Sequence, residues 1–348
     1  MLLSEFIRDG AARLETLYPS PEARGLVLML CEELLGVTRH THIVEPETTV
    51  PEERFAELED CLQRLCAGEP VQYVLGVAEF CGHRFAVGPG VLVPRPETEL
   101  LVAEAVRTLR EMDLERAPQV LDLCTGSGCI AWSIALEIRD AELVGVDLSE
   151  TALDYARNQF GVSRLVPAGQ ENQSSLRCGN APQEQAAARL QPSSAGGGVF
   201  QTERPEIIFR TSLPKNQFPL RLSAAGEPFF FQADVLDTEQ EFPYGPFDLI
   251  ISNPPYVRES ERALMRPNVL EHEPPMALFV PDEDPLLFYR AVARWAQRLL
   301  RPGGIGIVEI NEALGEETAA VFRDAGFGNV KILPDFYKKT RFISFNVI

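Results

Sequence analysis

The chain has 348 residues, of which 45% are hydrophobic, and its formal net charge is −19 at pH 7. A length above the roughly 100–200 residues of an ordinary domain predicts two units, or one unit with a large insertion. The acidic balance provides no basic surface for phosphates and argues against nucleic acid as a direct substrate, and no apolar run reaches the roughly 18 residues that a membrane-spanning helix needs.

The N-terminal segment is predicted to be helical. Apolar residues recur at helical spacing through residues 1–70, which indicates a small helical bundle. Between residues 71 and 97 the pattern changes to short β-like pieces separated by glycines such as Gly76 and Gly82. This change predicts a β-hairpin that links the bundle to the rest of the chain.

A regular alternation of strands and helices follows a helix predicted from Leu100 to about Glu111. The predicted strands are 119–123, 142–147, 229–233, 247–252, 305–310, 329–333 and 341–347. The predicted helices between them are 128–138, 150–159, 285–300 and 314–325. Such repeats predict an α/β fold, with a seven-stranded, mostly parallel sheet covered by helices on both faces.

One segment interrupts the alternation. Residues from about 161 to 226 are rich in Gln, Ala, Ser and Pro, contain three consecutive glycines at 196–198, and lack sustained periodicity. This composition predicts a flexible insertion on the surface.

The tetrapeptide Asn253-Pro254-Pro255-Tyr256 directly follows the apolar strand 247–252. Each proline fixes φ at about −65° and keeps the preceding residue out of the helical region, so the segment is a stiff, extended turn. The side-chain oxygen of Asn253 and the neighbouring main-chain carbonyls can accept both hydrogens of an NH2 group, and the Tyr256 ring offers an apolar wall. The turn therefore predicts a binding site for an amide or amino nitrogen, although a Pro-rich turn without chemistry has the same pattern.

Three aspartates lie at successive strand ends. The first opens the turn Asp122-Leu123-Cys124-Thr125-Gly126-Ser127-Gly128, whose glycines let a ligand approach the main chain and whose acidic start favours an amino or sulfonium group over phosphate. Asp147, followed by Leu148, ends the second strand, where an acidic side chain typically binds ribose hydroxyls. Asp234 follows the third strand and can accept a hydrogen bond from an adenine amine. Singly, each aspartate is more typical of a solvated strand end or helix cap. Together, at successive strand ends of one sheet, they predict a site for a nucleoside with a cationic tail.

These motifs together resemble the PrmC/HemK family of S-adenosylmethionine-dependent methyltransferases. The resemblance rests on the turn at 122–128, Asp147, the tetrapeptide at 253–256 and the upstream segment Pro94-Arg95-Pro96-Glu97-Thr98-Glu99. It implies a class I, Rossmann-like methyltransferase fold with a small N-terminal helical-bundle domain. The implied units are a substrate-recognition domain at 1–70, a β-hairpin linker at 71–97 and a methyltransferase domain at 98–348.

The resemblance also implies an activity. Family members transfer the methyl group of S-adenosyl-L-methionine to the side-chain nitrogen N5 of the glutamine in the Gly-Gly-Gln loop of peptide chain release factors. Separately, the seven scattered cysteines, an odd number without a Cys-x-x-Cys pair, are expected to be reduced thiols of a cytoplasmic protein. The implied cofactor-binding residues are Asp122, Cys124, Thr125, Gly126, Gly128, Asp147, Leu148, Asp234 and Asn253. The implied substrate-binding residues are Asn253, Pro254, Pro255 and Tyr256, with catalytic roles for Asn253, Pro254 and Tyr256.

Other functions stay open on the sequence alone. The Asn-Pro-Pro-Tyr motif is shared with methyltransferases of exocyclic nucleobase amines, and a ribosomal-protein glutamine is a further possible acceptor. A non-catalytic, cofactor-binding regulatory protein is the alternative from another class, and the intact tetrapeptide argues against it.

Several side-chain roles are further expectations. No metal site is expected, because the four histidines lack the spacing of metal ligands. Phe80, Phe85 or Tyr256 is expected to form an apolar wall that excludes water. Arg95 and Glu97 are expected either to form an ion pair at the domain junction or to contact a substrate or cofactor.

Overall fold

The computed structural model describes residues 1–160 and 226–348. The predicted insertion therefore lies outside the described residues, apart from Gly226. Within the two described ranges, no helix combines the length and the apolar character that crossing a bilayer requires.

Short helices build the N-terminal part of the chain. They are α1 (Leu3–Leu14), α2 (Ser20–Leu35), α3 (Thr41–Val44), α4 (Glu52–Cys66) and α5 (Val71–Leu75). Phe6, Val27 and Leu62 belong to the buried core that holds them together. Helix α5 occupies positions where the sequence predicts β-like pieces, because Pro70 and the left-handed Gly76 start and end a single turn too short to show periodicity.

A β-hairpin connects these helices to the next part of the chain. Strand β1 (Val77–Phe80) pairs antiparallel with β2 (His83–Ala86). The two residues of its turn, Cys81 and Gly82, have φ of 50° and 72°, as a two-residue hairpin turn requires. The Cys81 N–H donates to the Glu99 carboxylate at 3.1 Å, which ties the hairpin to the helix that follows.

The large sheet carries the predicted alternation. Its strands are β3 (Gln119–Leu123), β4 (Glu142–Asp147), β5 (Phe229–Gln232), β6 (Phe247–Ser252), β9 (Leu300–Glu309), β10 (Gly328–Pro334) and β11 (Thr340–Asn346); a separate short pair is β7 (Val257–Arg258) and β8 (Phe279–Val280). The helices are α6 (Thr98–Glu111), α7 (Cys129–Glu137), α8 (Glu150–Arg157), α9 (Pro267–His272), α10 (Leu287–Leu299) and α11 (Gly315–Asp324).

Among the described residues, seven strands join this sheet in the order β10-β11-β9-β6-β3-β4-β5. Strands β3, β4, β5, β6 and β9 run parallel, whereas β11 is antiparallel to β9 and β10 is antiparallel to β11. The seven-stranded, mostly parallel sheet predicted from the sequence is therefore present.

Both faces of the sheet are buried. Leu121 and Ile250 face a core that contains Trp295 of α10 and Phe322 of α11. Their neighbours on the same strands, such as Val120 and Leu249, face a second core formed with α6 and α7. Burying each such side chain contributes about 1.5–3 kcal/mol, so the two helical layers fix the sheet and the ends of its strands.

Candidate active site

A cavity of about 220 Å³ opens at the carboxyl ends of four neighbouring strands. Its wall contains Cys124–Ser127 after β3, Asp147–Ser149 after β4, Asp234–Leu236 after β5, and Asn253 with Pro255 after β6. Ligands of open parallel sheets bind at this edge, so the cavity is the candidate active site.

The glycine-rich turn after β3 is bound to the end of β4. The Gly126 N–H donates to Asp147 Oδ2 at 2.9 Å, and the Ser149 N–H donates to Asp147 Oδ1 at 2.9 Å. Gly128 has φ of 76°, and a Cβ there would lie 2.9 Å from both Ala156 Cβ and Phe230 Cζ, so only glycine fits. Asp147 thus holds the turn against the sheet while its carboxylate remains in the cavity wall.

Cys124 has an unusual backbone conformation in the same turn. Its φ is 61°, in the left-handed region, which costs a non-glycine residue of order 1–3 kcal/mol. Cys124 lines the cavity, and its side chain packs against the core of the sheet. Backbone strain of this kind is concentrated at functional sites, and here it lies in the turn that lines the cavity.

Asp122 lies behind the cavity wall and is completely buried. Thr125 Oγ1 donates to its Oδ2 at 2.6 Å, whereas its Oδ1 has no hydrogen-bond partner among the described residues. Burial raises the pKa of Asp122 to about 7, and the nearby charge of Asp147 also raises it, while the Thr125 hydrogen bond opposes the shift. Asp122 therefore titrates near neutral pH.

This titration predicts a pH-dependent stability. Because the pKa of folded Asp122 lies above the ordinary 3.8, the folded protein binds more protons than the unfolded chain between about pH 4 and pH 7. The contribution of Asp122 to the free energy of unfolding should therefore fall as pH rises through this range, by at most about 1.4 kcal/mol per pH unit. Urea unfolding of the wild type and of Asp122→Asn, from pH 5 to pH 8, measures it. A wild-type-minus-variant difference that stays constant with pH would contradict the shifted pKa.

The Asn-Pro-Pro-Tyr turn is held by hydrogen bonds to α6, to the end of β9 and to Asn311. Asn253 Nδ2 donates to Thr98 Oγ1 at 3.2 Å, and the Tyr256 hydroxyl donates to Glu309 Oε1 at 3.0 Å. Asn311 Nδ2 donates to the main-chain oxygen of Tyr256 at 3.2 Å. Burial and the Glu309 carboxylate raise the pKa of Tyr256 well above its ordinary value, so this phenol stays neutral.

Glu273 connects its own segment to residues 93–95, which lie far from it in the sequence. This buried carboxylate accepts the Val93 N–H at 3.1 Å and Arg95 Nη2 at 2.6 Å. Arg95 therefore pairs with Glu273 rather than with Glu97. Arg95 also lines the cavity, so its contact with a substrate or cofactor stays a prediction. Pro94 and Pro274, each next in sequence to one member of this ion pair, both line the cavity.

The predicted site residues divide into two groups. Those in the wall are Cys124, Thr125, Gly126, Asp147, Leu148, Asp234, Asn253 and Pro255. Those outside the wall are Asp122, Gly128, Pro254 and Tyr256. The second group supports the first: Asp122 bonds Thr125, and Gly128 begins the helix after the turn.

The apolar part of the wall differs from the expectation. Phe80 and Phe85 do not line the cavity; they pack in the core beside α6. Leu92, Met276 and Phe288 line it instead. No pattern described above pointed to Leu92, Met276 or Phe288 as wall residues.

Comparison with known proteins identifies the family. The PrmC N-terminal domain family matches residues 5–76. The release factor glutamine methyltransferase of Bacteroides thetaiotaomicron is 33% identical over 344 residues, which cover 99% of this chain and 99% of that protein. Its counterpart in Streptomyces coelicolor is 32% identical over 296 residues, covering 84% of this chain and 82% of that protein.

A solved structure is also similar. The release-factor-specific protein-(glutamine-N5) methyltransferase of Alicyclobacillus acidocaldarius is 24% identical, covers 76% of this chain and 99% of that chain, and has a TM-score of 0.36. The parallel sheet with its antiparallel final pair is the class I, S-adenosylmethionine-dependent methyltransferase fold that the motifs predicted. With curated relatives matching along almost its whole length, this chain belongs to the family of release factor glutamine methyltransferases.

Proposed function

We propose that this protein transfers the methyl group of S-adenosyl-L-methionine to the side-chain nitrogen N5 of the glutamine in the Gly-Gly-Gln loop of peptide chain release factors, in the cytoplasm. The observation that carries the proposal is that Asn253 and Pro255 line the same cavity as Asp147 and Asp234. A direct transfer needs the acceptor and the methyl donor in one enclosure, and this cavity supplies both sets of contacts.

The wall residues fit the cofactor. Each oxygen of Asp147 accepts one main-chain N–H, which leaves a second lone pair on each for the ribose hydroxyls. Asp234 Oδ1 accepts the Leu236 N–H at 2.8 Å, and its other oxygen remains for the adenine amine. Leu148 and Leu236 supply apolar surface beside these carboxylates. When bound, the cofactor supplies an activated methyl group on its sulfonium.

The protein's task in the reaction is orientation. An amide nitrogen is a poor nucleophile because its lone pair is delocalised into the carbonyl. In this proposal Asn253 Oδ1 and the Pro254 carbonyl accept the two amide hydrogens, which aims the nitrogen lone pair at the methyl group. Leu92, Met276 and Phe288 exclude water. The new nitrogen–carbon bond would form as the carbon–sulfur bond of the sulfonium breaks, the electron pair of that bond would remain on the departing thioether sulfur, and the nitrogen would lose one proton to solvent as the products leave.

The parts of the chain divide the work in the same proposal. Residues 1–70 recognise the release factor, residues 71–97 link the two domains, and residues 98–348 carry out the transfer. The match of residues 5–76 to the PrmC N-terminal domain family supports the first assignment.

A labelling experiment tests the proposal. Purified protein is incubated with methyl-labelled S-adenosylmethionine and separate pools of release factor, ribosomal protein and nucleic acid, and any label is mapped by mass spectrometry. Label is expected on the loop glutamine of the release factor only, and a release factor with alanine in place of that glutamine is the control. Label in the ribosomal-protein or nucleic-acid pool would support one of the alternative acceptors, and cofactor binding without label in any pool would support a regulatory protein.

A further inference from the structure

A buried hydrogen-bond chain runs from the acceptor turn into the protein. It starts at Asn253, passes through Thr98 at the first position of α6, and ends at Glu309, the last residue of β9. We infer that Thr98 and Glu309 are positioning residues that set which way the side-chain amide of Asn253 faces. The inference rests on the proposed function, because it concerns the atom of Asn253 that meets the acceptor amide.

The hydrogen bonds of this chain are short and shielded from solvent. Asn253 Nδ2 lies 3.2 Å from Thr98 Oγ1, and Thr98 Oγ1 lies 2.8 Å from Glu309 Oε2. Thr98 and Glu309 are only 3% and 1% exposed, so water does not compete for these bonds. The second oxygen of Glu309 accepts the Tyr256 hydroxyl at 3.0 Å. Each oxygen of the carboxylate thus receives one hydroxyl donor, from Thr98 and from Tyr256.

The direction of these hydrogen bonds follows from the number of protons that each group can donate. An ionised carboxylate only accepts hydrogen bonds, and a threonine hydroxyl has one proton to donate. Since Thr98 gives its proton to Glu309, it can only accept from Asn253. The hydrogen bond to Thr98 uses an N–H of Asn253 Nδ2, so Oδ1 is the side-chain atom that faces the cavity.

The contacts of Glu309 match an ionised carboxylate, because each of its two oxygens accepts one hydroxyl. Burial and the Glu97 charge raise the pKa of Glu309, and the hydrogen bonds from Thr98 and Tyr256, together with the nearby Arg341 guanidinium, reduce that rise. The hydroxyls of Thr98 and Tyr256 therefore favour the ionised carboxylate of Glu309, which can only accept hydrogen bonds.

The orientation decides whether the acceptor binds. The oxygen and the NH2 group of an asparagine side chain have almost the same shape, so packing alone does not select between the two orientations. With Oδ1 in the cavity, Asn253 accepts a hydrogen of the acceptor NH2. With Nδ2 there, donor would face donor and the acceptor would be repelled. The Thr98–Glu309 pair removes this ambiguity.

Substitution of Thr98 tests the inference. Thr98→Val removes the hydroxyl and nearly preserves the shape, so kcat for methylation of a release factor should fall about 10²-fold, as expected when a positioned group is lost. The Kd for S-adenosylmethionine, measured by calorimetry, should not change. Thr98→Ser keeps the hydroxyl and should restore kcat. Thr108→Val, at another buried threonine of α6 that lies outside the cavity wall, is the matched control and should behave as wild type.

Glu309→Gln provides a second variant that keeps the size of the side chain. The new amide can donate to Thr98 Oγ1, and Thr98 can then donate to Asn253 Oδ1, which reverses both hydrogen bonds. We therefore expect kcat to fall. Cofactor affinity and the midpoint of thermal unfolding should stay close to wild type. Wild-type turnover in Thr98→Val would overturn the inference. A loss that Thr98→Ser does not restore would also overturn it, because shape and not the hydroxyl would then be responsible.

A spectroscopic measurement separates this inference from the proposed function. If the wild type does not methylate release factors, the proposed function fails, and the orientation is then tested by NMR on protein containing isotope-labelled asparagine. The side-chain NH2 of Asn253 should exchange slowly with solvent in the wild type and faster in Thr98→Val. Equal exchange in the two proteins would refute the hydrogen-bond chain whatever the acceptor is.

Discussion

Asn253→Ala is expected to remove most of the methyl transfer while S-adenosylmethionine still binds. The substitution deletes the oxygen that accepts the acceptor hydrogen and leaves the contacts of Asp147 and Asp234 in place. Loss of one preorganised hydrogen-bonding group in an active site typically lowers kcat about 10²- to 10³-fold. Transfer of labelled methyl to a release factor measures the rate, and calorimetry measures cofactor affinity.

The control for this variant is Asn158→Ala. Asn158 is exposed at the end of α8, where its Nδ2 donates to the main-chain oxygen of Asp154 at 2.7 Å, and it lies outside the cavity wall. It should have wild-type turnover and affinity. Unchanged turnover in Asn253→Ala would contradict the assignment of the acceptor site, and loss of cofactor binding would assign Asn253 to the cofactor instead.

Asp147→Ala is expected to weaken S-adenosylmethionine binding about 10²-fold or more. Each hydrogen bond between a charged group and a ribose hydroxyl contributes about 1.5–3 kcal/mol, and about 1.4 kcal/mol is a factor of ten in affinity. The substitution also leaves the Gly126 and Ser149 N–H groups without their acceptor, so the glycine-rich turn loses its attachment to β4. Both effects act on the cofactor site, and calorimetric titration measures their sum.

Two further variants define the cause. Asp154→Ala removes an exposed carboxylate of α8 outside the cavity wall and should leave Kd unchanged. Asp147→Asn keeps the shape but places an NH2 group against one of the two main-chain N–H donors, so it should weaken binding as well. Wild-type Kd in Asp147→Asn would show that the charge and acceptor pattern of this side chain do not matter.

The strands that carry the site were predictable because their signal is local. The apolar run at 247–252 forms β6 with the predicted bounds, and the run at 119–123 forms β3. Since parallel strands present their carboxyl ends at one edge, the positions of Asp147, Asp234 and Asn253 after such runs were enough to bring them to one cavity.

Some element bounds were not predictable from local patterns. Strand β9 begins at Leu300, five residues before its predicted start, since Leu300 already pairs with Phe247. The sequence Pro302-Gly303-Gly304 gave no sign of this early start, because such residues usually mark a break in a strand. The sheet accommodates them through a register shift between β6 and β9.

The contacts that hold the site could not be predicted, because their partners are far apart in the sequence. Glu273 pairs with Arg95 across 178 positions, whereas the carboxylates close to Arg95 in the sequence are Glu97 and Glu99. Thr98 and Glu309 carried no periodic or spacing signal that relates them to Asn253. Motif matching located the segments, and only the folded structure shows which atoms in them meet.

The separation of these residues has a consequence for folding. The two hydrogen bonds of the Thr98 side chain join positions that are 155 and 211 residues apart. Closing loops of this size costs chain entropy, which is recovered only when the strands between them have assembled. A fragment that ends before Glu309 lacks part of the hydrogen-bond chain. A nascent molecule of that length therefore lacks the oriented Asn253, and competence for methyl transfer requires contacts that span 211 residues.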